Sequence, residues 1–322
     1  MKTYKQLTEG QRYQIAALKE VGKSNKEIAV LVEVSEATIS RELRRNRGKQ
    51  GYRPQQAHNT ACQRKREATK AIKMTDEVIV LVNEQIRLDW SPEQVSGRLI
   101  KQHGIYLSHE RIYQHIWADK WLGGDLYSYL RQAHKQRRKK YGSTDKRGQI
   151  CNRVSIEQRP DIVDEKSRIG DWEIDTVIGQ NHQGALVTIV ERNSKFTVIQ
   201  KVETKQAEGV TMATITLLKP YSDKVFTITA DNGKEFAGHE TIAKELDAQV
   251  YFAHPYSSWE RGLNENTNGL IRQYFPKGSS FETITDKEVA FVMYRLNNRP
   301  RKGLNYRTPH EVFFEQAELK AA

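Results

Sequence analysis

The sequence predicts a multidomain chain of two characters: an all-α N-terminal region, then an α/β domain built on a mixed five-stranded sheet. Three observations predict it. Apolar residues recur at helical spacing between capping signals through the first 125 or so residues. From Ile169 onward short β-branched runs take over, three in succession and then two alternating with helical stretches. Charge divides the same way, with 30 Lys/Arg and 16 Asp/Glu in residues 1–150 against 22 and 24 in residues 151–322, a net of +14 before a net of −2. The 322 residues leave room for two or three domains. The expected divisions are a DNA-binding unit at 1–50, a linker helix and second helical unit at 51–125, a basic linker at 126–165 and an α/β domain at 166–322.

A basic front on a near-neutral back suggests a polyanion-binding region attached to a separate globular unit, with nucleic acid the first candidate partner. Membrane binding is the rival for a basic segment, but the sequence has no long apolar run and no signal-peptide pattern. Cys62 and Cys151 stand far apart without a Cys-x-x-Cys spacing. They fit neither a disulfide framework nor a zinc site, so a reducing cytoplasm is the expected setting.

Residues 8–46 read as three short helices. Ile15, Leu18 and Val21 mark the apolar side of the first, which Gly22 ends. Ser24 and Glu27 have capping-box spacing ahead of Ile28, Leu31 and Val32, and Ser35 caps a third helix running to about Arg45. Two short helices joined by a tight turn form a helix-turn-helix, whose second helix enters the major groove. Here that helix offers Glu36, Ala37, Ser40, Arg41, Arg44 and Arg45. Small residues permit close approach to base edges, and arginines reach guanine or phosphate. A plain three-helix bundle has the same pattern; the basic continuation through Arg47 and Lys49 favours DNA.

After the charged stretch around Arg64-Lys-Arg66 comes an apolar helix with Val78, Val80, Leu81 and Ile86. Ser91-Pro92-Glu93-Gln94 then combines a cap, a first-turn proline and a capping-box amide, and Gly104 ends the helix. A further helix begins after Ser108, with Ile112, Tyr113, Ile116 and Trp117 as its expected core and His109, Arg111 and Gln114 as a polar face. This pair is open to two readings, a second helix-turn-helix or a bundle for packing and dimer contact. Residues 131–147 carry eight Lys/Arg, readable as a solvated tether or as a phosphate contact without sequence specificity.

In the back half, Trp172–Ile178, Ala185–Val190 and Phe196–Val202 are separated by breaks short enough for antiparallel hairpins. A helix over Ala207–Leu218, a strand at Val225–Thr229, a helix near His239–Leu246, a strand at Gln249–Ala253 and a helix around 259–274 follow. Antiparallel strands followed by alternating helices and strands make a mixed sheet with helices on its faces. That order of elements is similar to the ribonuclease-H-like fold.

Three carboxylates stand out on this frame. Asp231 follows the apolar run Lys224–Ala230 and precedes Asn-Gly, placing it where a strand gives way to a loop. Asp175 lies in a second strand and Glu265 on the last helix, nearly opposite the stripe of Leu263, Thr267, Leu270, Ile271 and Tyr274. Converging, they would hold divalent metal. Singly, each has a plainer account: a turn aspartate, an exposed strand residue beside Glu173, a solvated helix glutamate. Glu173, Glu235 and Glu260 compete for the third place and are read as supporting or structural. Asn232, Asn264 and Asn268 are open to ligand orientation or DNA contact, with solvated amides the simpler account. His254 before Pro255 is open to proton transfer, with loop packing the simpler account.

Three blocks then carry a resemblance to a family. Gly170-Asp-Trp-Glu-Ile-Asp175-Thr-Val-Ile-Gly179, Ala230-Asp231-Asn-Gly-Lys-Glu-Phe236 and Arg261-Gly-Leu-Asn-Glu265-Asn-Thr-Asn-Gly-Leu-Ile-Arg272-Gln-Tyr-Phe-Pro-Lys277-Gly278 resemble the active-site blocks of DDE transposases, most of all the insertion-sequence-thirty family of bacteria. Asn297–Gly303 and Thr308–Val312 resemble that family's C-terminal signature, so the likeness spans nearly the whole chain. It implies Asp175, Asp231 and Glu265 as catalytic metal ligands, with 33 residues (232–264) between the last two. It also implies a basic DNA contact at Arg272; Lys277 in the same block and Arg111 join the candidates. Asp171 departs from the pattern, where many relatives are expected to have histidine. The implied cofactor is Mg2+, two ions per site about 4 Å apart, with Mn2+ as substitute. The implied partners are double-stranded DNA, both the element's terminal inverted repeats and the target, and a second copy of the chain in a homodimer or higher oligomer. The implied setting is the bacterial cytoplasm, on the nucleoid. The rival from another class is a metal-free DNA-binding regulator whose sheet domain only assembles.

Overall fold

The computed structural model describes residues 6–67, 73–131, 150–255 and 257–321. All of the expected basic run 131–147 after Arg131 lies outside the described residues. The chain divides into two compact units, Met1–Ile72 and Lys73–Ala322.

The first unit holds α1 (Glu9–Glu20), α2 (Asn25–Leu31), α3 (Glu36–Arg45) and α4 (Pro54–Glu67). Thr8 and Ser24 form reciprocal capping boxes with Gln11 and Glu27, and Ser35 caps α3. Leu7, Ile15, Ile28, Ala29, Val32 and Ile39 make the core. Val21 and Leu31, expected inside, are exposed: each lies at the frayed end of a short helix, where the apolar stripe runs past the packed surface. Below the core, the Arg12 guanidinium meets the Glu42 carboxylate at 2.8 Å, with both side chains buried. That pair ties α1 to α3.

The second unit opens with α5 (Asp76–Arg87), α6 (Pro92–His103) and α7 (His109–Trp121), packed through Val78, Val82, Ile86, Val95, Leu99, Ile112 and Ile116. Ser91 and Gln94 form the expected capping box, and Gly104 takes the left-handed conformation that ends α6. Trp117 is half exposed rather than core, because Ile112 and Ile116 at four-residue spacing already fill the buried stripe of α7.

The sheet has six strands rather than five, in the order β1-β6-β5-β2-β3-β4. Its strands are β1 (Val154–Ser155), β2 (Asp171–Ile178), β3 (Ala185–Glu191), β4 (Thr197–Val202), β5 (Thr227–Ala230) and β6 (Gln249–Phe252). The extra strand is two residues long, too short to leave a periodic signal, and it adds in parallel to β6. β2, β3 and β4 pair antiparallel, and β2, β5 and β6 pair parallel.

A four-residue helix α8 (Ile162–Glu165) precedes β2, and α9 (Ala207–Leu218) and α10 (His239–Leu246) cover one face. Trp172, Ile174, Ile189, Ile228 and Phe252 pack there with Val210, Ile242 and Phe313. The other face takes α11 (Gly262–Tyr274) and α12 (Asp286–Asn297), with Val177, Leu186 and Ile199 against Leu270, Ile271, Val292 and Leu296. The chain closes with α13 (Pro309–Ala321). Because side chains alternate along β2, Trp172 and Ile174 point to the first face, while Glu173, Asp175 and Val177 point toward α11. That alternation aims Asp175 at α11, the helix that carries Glu265. Among the described residues no helix is long and apolar enough to cross a membrane.

The helices of residues 76–121 are fastened to the C-terminal segment. Arg98 on α6 pairs with Glu311 and donates to the Tyr306 carbonyl at 3.2 Å, and the Tyr274 hydroxyl donates to Asp89 at 2.9 Å.

Candidate active site

Asp175 sits in the middle of β2, opposite Thr188 of β3, two residues past the end of the pairing of β2 with β5 at Glu173. Its Oδ1 accepts from the Thr176 amide at 2.9 Å and its Oδ2 from the Asn268 side-chain amide at 2.8 Å. Asp231 follows the last residue of β5, the strand next to β2. Its Oδ1 accepts from the Gly233 amide at 2.8 Å, so the Asp-Asn-Gly turn locks the side chain.

The two carboxylates meet around one cation of the protein's own. The Arg261 guanidinium reaches 3.6 Å from Asp175 Oδ1 through Nη1 and 3.3 Å from Asp231 Oδ2 through Nη2. Burial pushes the Asp175 carboxyl above the usual range; Arg261 pulls it down, and the like charge of Asp231 pushes it up again. A pair of hard oxygen ligands already gathered on positive charge suits a divalent cation.

Glu265 is not drawn into this pair. It is exposed on the first turn of α11, and among the described residues no group of three His, Cys, Asp or Glu side chains could hold a metal ion. It stands one turn before Asn268, the residue bonded to Asp175, so the two project from neighbouring parts of one helix surface.

The other acidic residues have structural partners. Glu173 is buried, stands 3.1 Å from the Arg192 guanidinium and accepts the Asn264 backbone amide at 3.1 Å. Glu235 is buried between Lys205 at 2.6 Å and the Thr176 hydroxyl at 3.2 Å. Glu260 takes the backbone amide of His254 at 2.8 Å and its ring Nδ1 at 2.7 Å. Hydrogen bonding to Glu260 raises the His254 pKa. Asp171, the departure from the family pattern, is fully buried, paired with Arg168 at 2.9 Å and bonded to the Thr227 hydroxyl at 2.8 Å.

The asparagines correct the reading of solvated amides. Asn268 bridges Asp175 and Thr188, Asn232 donates to the Ala253 carbonyl at 2.6 Å, and Asn264 is almost completely buried. Arg261 stood in a quoted block without an assigned role. The available signal was its position four residues before Glu265, at the start of the same helix. Asn264 and Asn268, also four apart, could have been read as a polar stripe beside the apolar one.

Among the DNA-contact candidates, Glu36, Ser40, Arg41, Arg44 and Arg45 are all exposed on α3. Arg41, Arg44, Arg45, Arg64 and Lys65 line a cavity of about 690 Å3 beside α3 in the first unit. Arg111 is exposed on the first turn of α7 and reaches Gln114 at 3.3 Å. Lys277 is exposed in the turn after α11. Arg272 differs: its guanidinium donates to the carbonyl of Ile178 at 2.7 Å and to those of Phe275 and Pro276, and burial lowers its pKa. Those carbonyls hold it as a staple between α11 and the end of β2.

The chain resembles known proteins over most of its length. A helix-turn-helix domain family matches residues 3–46, and an integrase core domain family matches residues 166–258. The transposase for insertion sequence element IS4351 of Bacteroides fragilis is 43% identical over 311 residues, covering 96% of this chain and 95% of that protein. The transposase InsI for insertion sequence element IS30A of Escherichia coli is 35% identical over 317 residues, covering 95% and 82%. Among solved structures, the catalytic core domain of BIV integrase aligns over 48% of this chain and 100% of that chain, with 22% identity and a TM-score of 0.39. These two matches cover nearly the whole chain, and on them the chain belongs to the IS30 family of insertion-sequence transposases.

Proposed function

We propose that the chain recognises the terminal inverted repeats of its own element, hydrolyses one strand at each end and joins the freed 3′-OH to target DNA. The observation that carries the chemistry is the meeting of Asp175 and Asp231, from adjacent strands, on the Arg261 guanidinium. Both steps are in-line displacements at phosphorus. In the first, a water oxygen attacks and the 3′ oxygen leaves; in the second, that 3′-OH attacks a target phosphodiester, bonds to the target's 5′-phosphate, and the 3′ oxygen of the preceding target nucleotide leaves as a new 3′-OH. One carboxylate site serves both without a covalent protein–DNA intermediate.

Asp175 and Asp231 would hold divalent metal, Mg2+ or in its place Mn2+, with Glu265 the third ligand supplied by α11. When bound, the metal supplies charge neutralisation for the attacking and leaving oxygens. The chain's own residues prepare the site. β2 and the Asp231 turn fix the two carboxylates, and Asn268 orients Asp175. α3 would read the repeats through Glu36, Ser40, Arg41, Arg44 and Arg45, and Arg111, Lys277 and Arg272, the last from its seat on backbone carbonyls, would contact the rest of the DNA path. The domain divisions at 50, 125 and 165 are part of the same reading. Two element ends must be joined at once, so the active complex is at least a dimer. The setting is the cytoplasm, on nucleoid DNA.

The test incubates the protein with labelled element ends, a target plasmid and Mg2+. Asp175→Asn is expected to abolish cleavage and leave end binding intact, and loss of both would sink the assignment of roles. Hydrolysis without joined products would make the chain a nuclease instead.

A further inference from the structure

Arg261 is an unusual neighbour for two carboxylates read as metal ligands. Its side chain is largely buried, yet among the described residues it makes one hydrogen bond, from Nη1 to the Ile174 carbonyl at 3.2 Å. Neither carboxylate is close enough and aligned enough for a hydrogen bond, and the buried Nε has no partner among the described residues. A guanidinium can make five such bonds, so this one is held mainly by charge. It ends the short turn Ser258–Arg261 and is followed by Gly262, where an added Cβ would meet nothing within 4 Å. The backbone next to Arg261 thus borders open space at the start of α11, the helix that carries Asn268 and Glu265.

We propose that Arg261 is a displaceable internal counter-ion: it occupies the cation position between Asp175 and Asp231 while metal is absent, and it must withdraw before a divalent ion can bind there. The inference rests on the metal reading of the site. Two carboxylates brought together without a cation repel each other in a partly buried place, and one guanidinium neutralises half of that charge. A divalent ion neutralises all of it, so it competes for the same space with the stronger charge. Its entry costs the loss of the Arg261 contacts, which sets the metal affinity lower than the carboxylates alone would give. Withdrawal of Arg261 also frees the first turn of α11, so cation exchange at the pair is coupled to the placement of Glu265. Arg261 is in this sense a positioning residue.

The test measures Mn2+ binding to the full chain by the electron paramagnetic resonance signal of free Mn2+, with thermal unfolding in chelator as second readout. Arg261→Gln keeps a donor for the Ile174 carbonyl and removes the charge. It should bind Mn2+ about tenfold or more tightly than the unaltered chain. It should also melt at a lower temperature in chelator and gain more than the unaltered chain when Mn2+ is added. Arg261→Lys, which keeps the charge, should bind within about threefold of the unaltered chain. Affinity that is unchanged or weaker in Arg261→Gln, with binding still lost in Asp175→Asn, overturns the counter-ion alone. Mn2+ binding that survives Asp175→Asn overturns the metal reading beneath it.

Discussion

Asn268 donates its side-chain amide to Asp175 at 2.8 Å and accepts the Thr188 hydroxyl at 3.0 Å, so one residue joins α11 to two strands at the carboxylate site. Removing it leaves the half-buried Oδ2 of Asp175 without that donor, while the Thr188 hydroxyl keeps only the Asp175 backbone carbonyl at 3.2 Å. Groups that orient a site carboxylate typically change metal affinity or activity by about 10–100-fold when removed. Asn268→Ala should therefore cut strand cleavage by about that factor, with a stability loss of about 1–3 kcal/mol. Asn268→Asp keeps the acceptor for Thr188 but sets a carboxylate against Asp175, and should be at least as damaging. Cleavage at the unaltered rate in Asn268→Ala would show that Asp175 needs no such guide.

His254 provides a pH-sensitive brace for the turn that ends in Arg261. Its ring meets Glu260 at 2.7 Å and Glu157 at 3.3 Å, and the bond to Glu260 is the main reason its pKa lies above the ordinary histidine value. A folded pKa above the unfolded one means that the contact stabilises fully below about pH 6.5 and fades as pH rises through the folded value. A nuclear magnetic resonance titration should find His254 titrating above about 6.5, and Glu260→Gln should return it toward that figure. If Glu260→Gln leaves the titration where it was, the brace is not made by Glu260.

Much of this architecture was legible in the sequence because local rules and packing agreed. Capping boxes at Ser24 and Ser91 marked helix starts, and the β-branched runs of β2, β3 and β4 marked strands whose hairpins need only local contacts. Asp175 and Asp231 were readable because a strand and a turn fix their places. Three things were not readable, each because it depends on residues far apart in sequence. β1 is held by pairing with β6 rather than by its own propensity. The burial of Glu173 depends on Arg192 and on the Asn264 amide. The seat of Arg261 depends on two carboxylates 86 and 30 positions away in the chain (261 − 175 and 261 − 231). The bonds of Arg272 to the backbone were not readable either, since the Ile178 carbonyl it meets lies 94 positions away (272 − 178).

In the first unit, two arginines should affect DNA binding for different reasons. Arg12 is buried against Glu42, which also receives the Tyr52 hydroxyl at 3.2 Å. Arg12→Ala strands that carboxylate and should cost about 3–5 kcal/mol, loosening α1 from α3. Arg44 is exposed on α3, so Arg44→Ala should leave the melting temperature in place. It should instead reduce the slope of log affinity against log salt by about 0.9 for one lost phosphate contact. Thermal unfolding and binding to element ends at several salt concentrations separate the two effects. A salt slope unchanged in Arg44→Ala would remove that residue from the DNA path.

At Gly97 on α6 the helical bundle and the C-terminal segment approach each other closely. A methyl group there would overlap the ring of Tyr306, a residue held at φ 57° and flanked by the Arg98 and Lys101 bonds to the carbonyls of Tyr306 and Asn305. The ring cannot swing aside cheaply, because its backbone is already in the left-handed region and its carbonyl is engaged. Gly97→Ala should thus cost about 1–3 kcal/mol by overpacking. Tyr306→Ala opens space, so the double variant should lose less than the two single losses added together. Equilibrium denaturation of the four proteins measures that coupling. Strictly additive losses would mean that the methyl group and the ring never meet, and that the bundle is held to the C-terminal segment by its ion pairs rather than by this close approach.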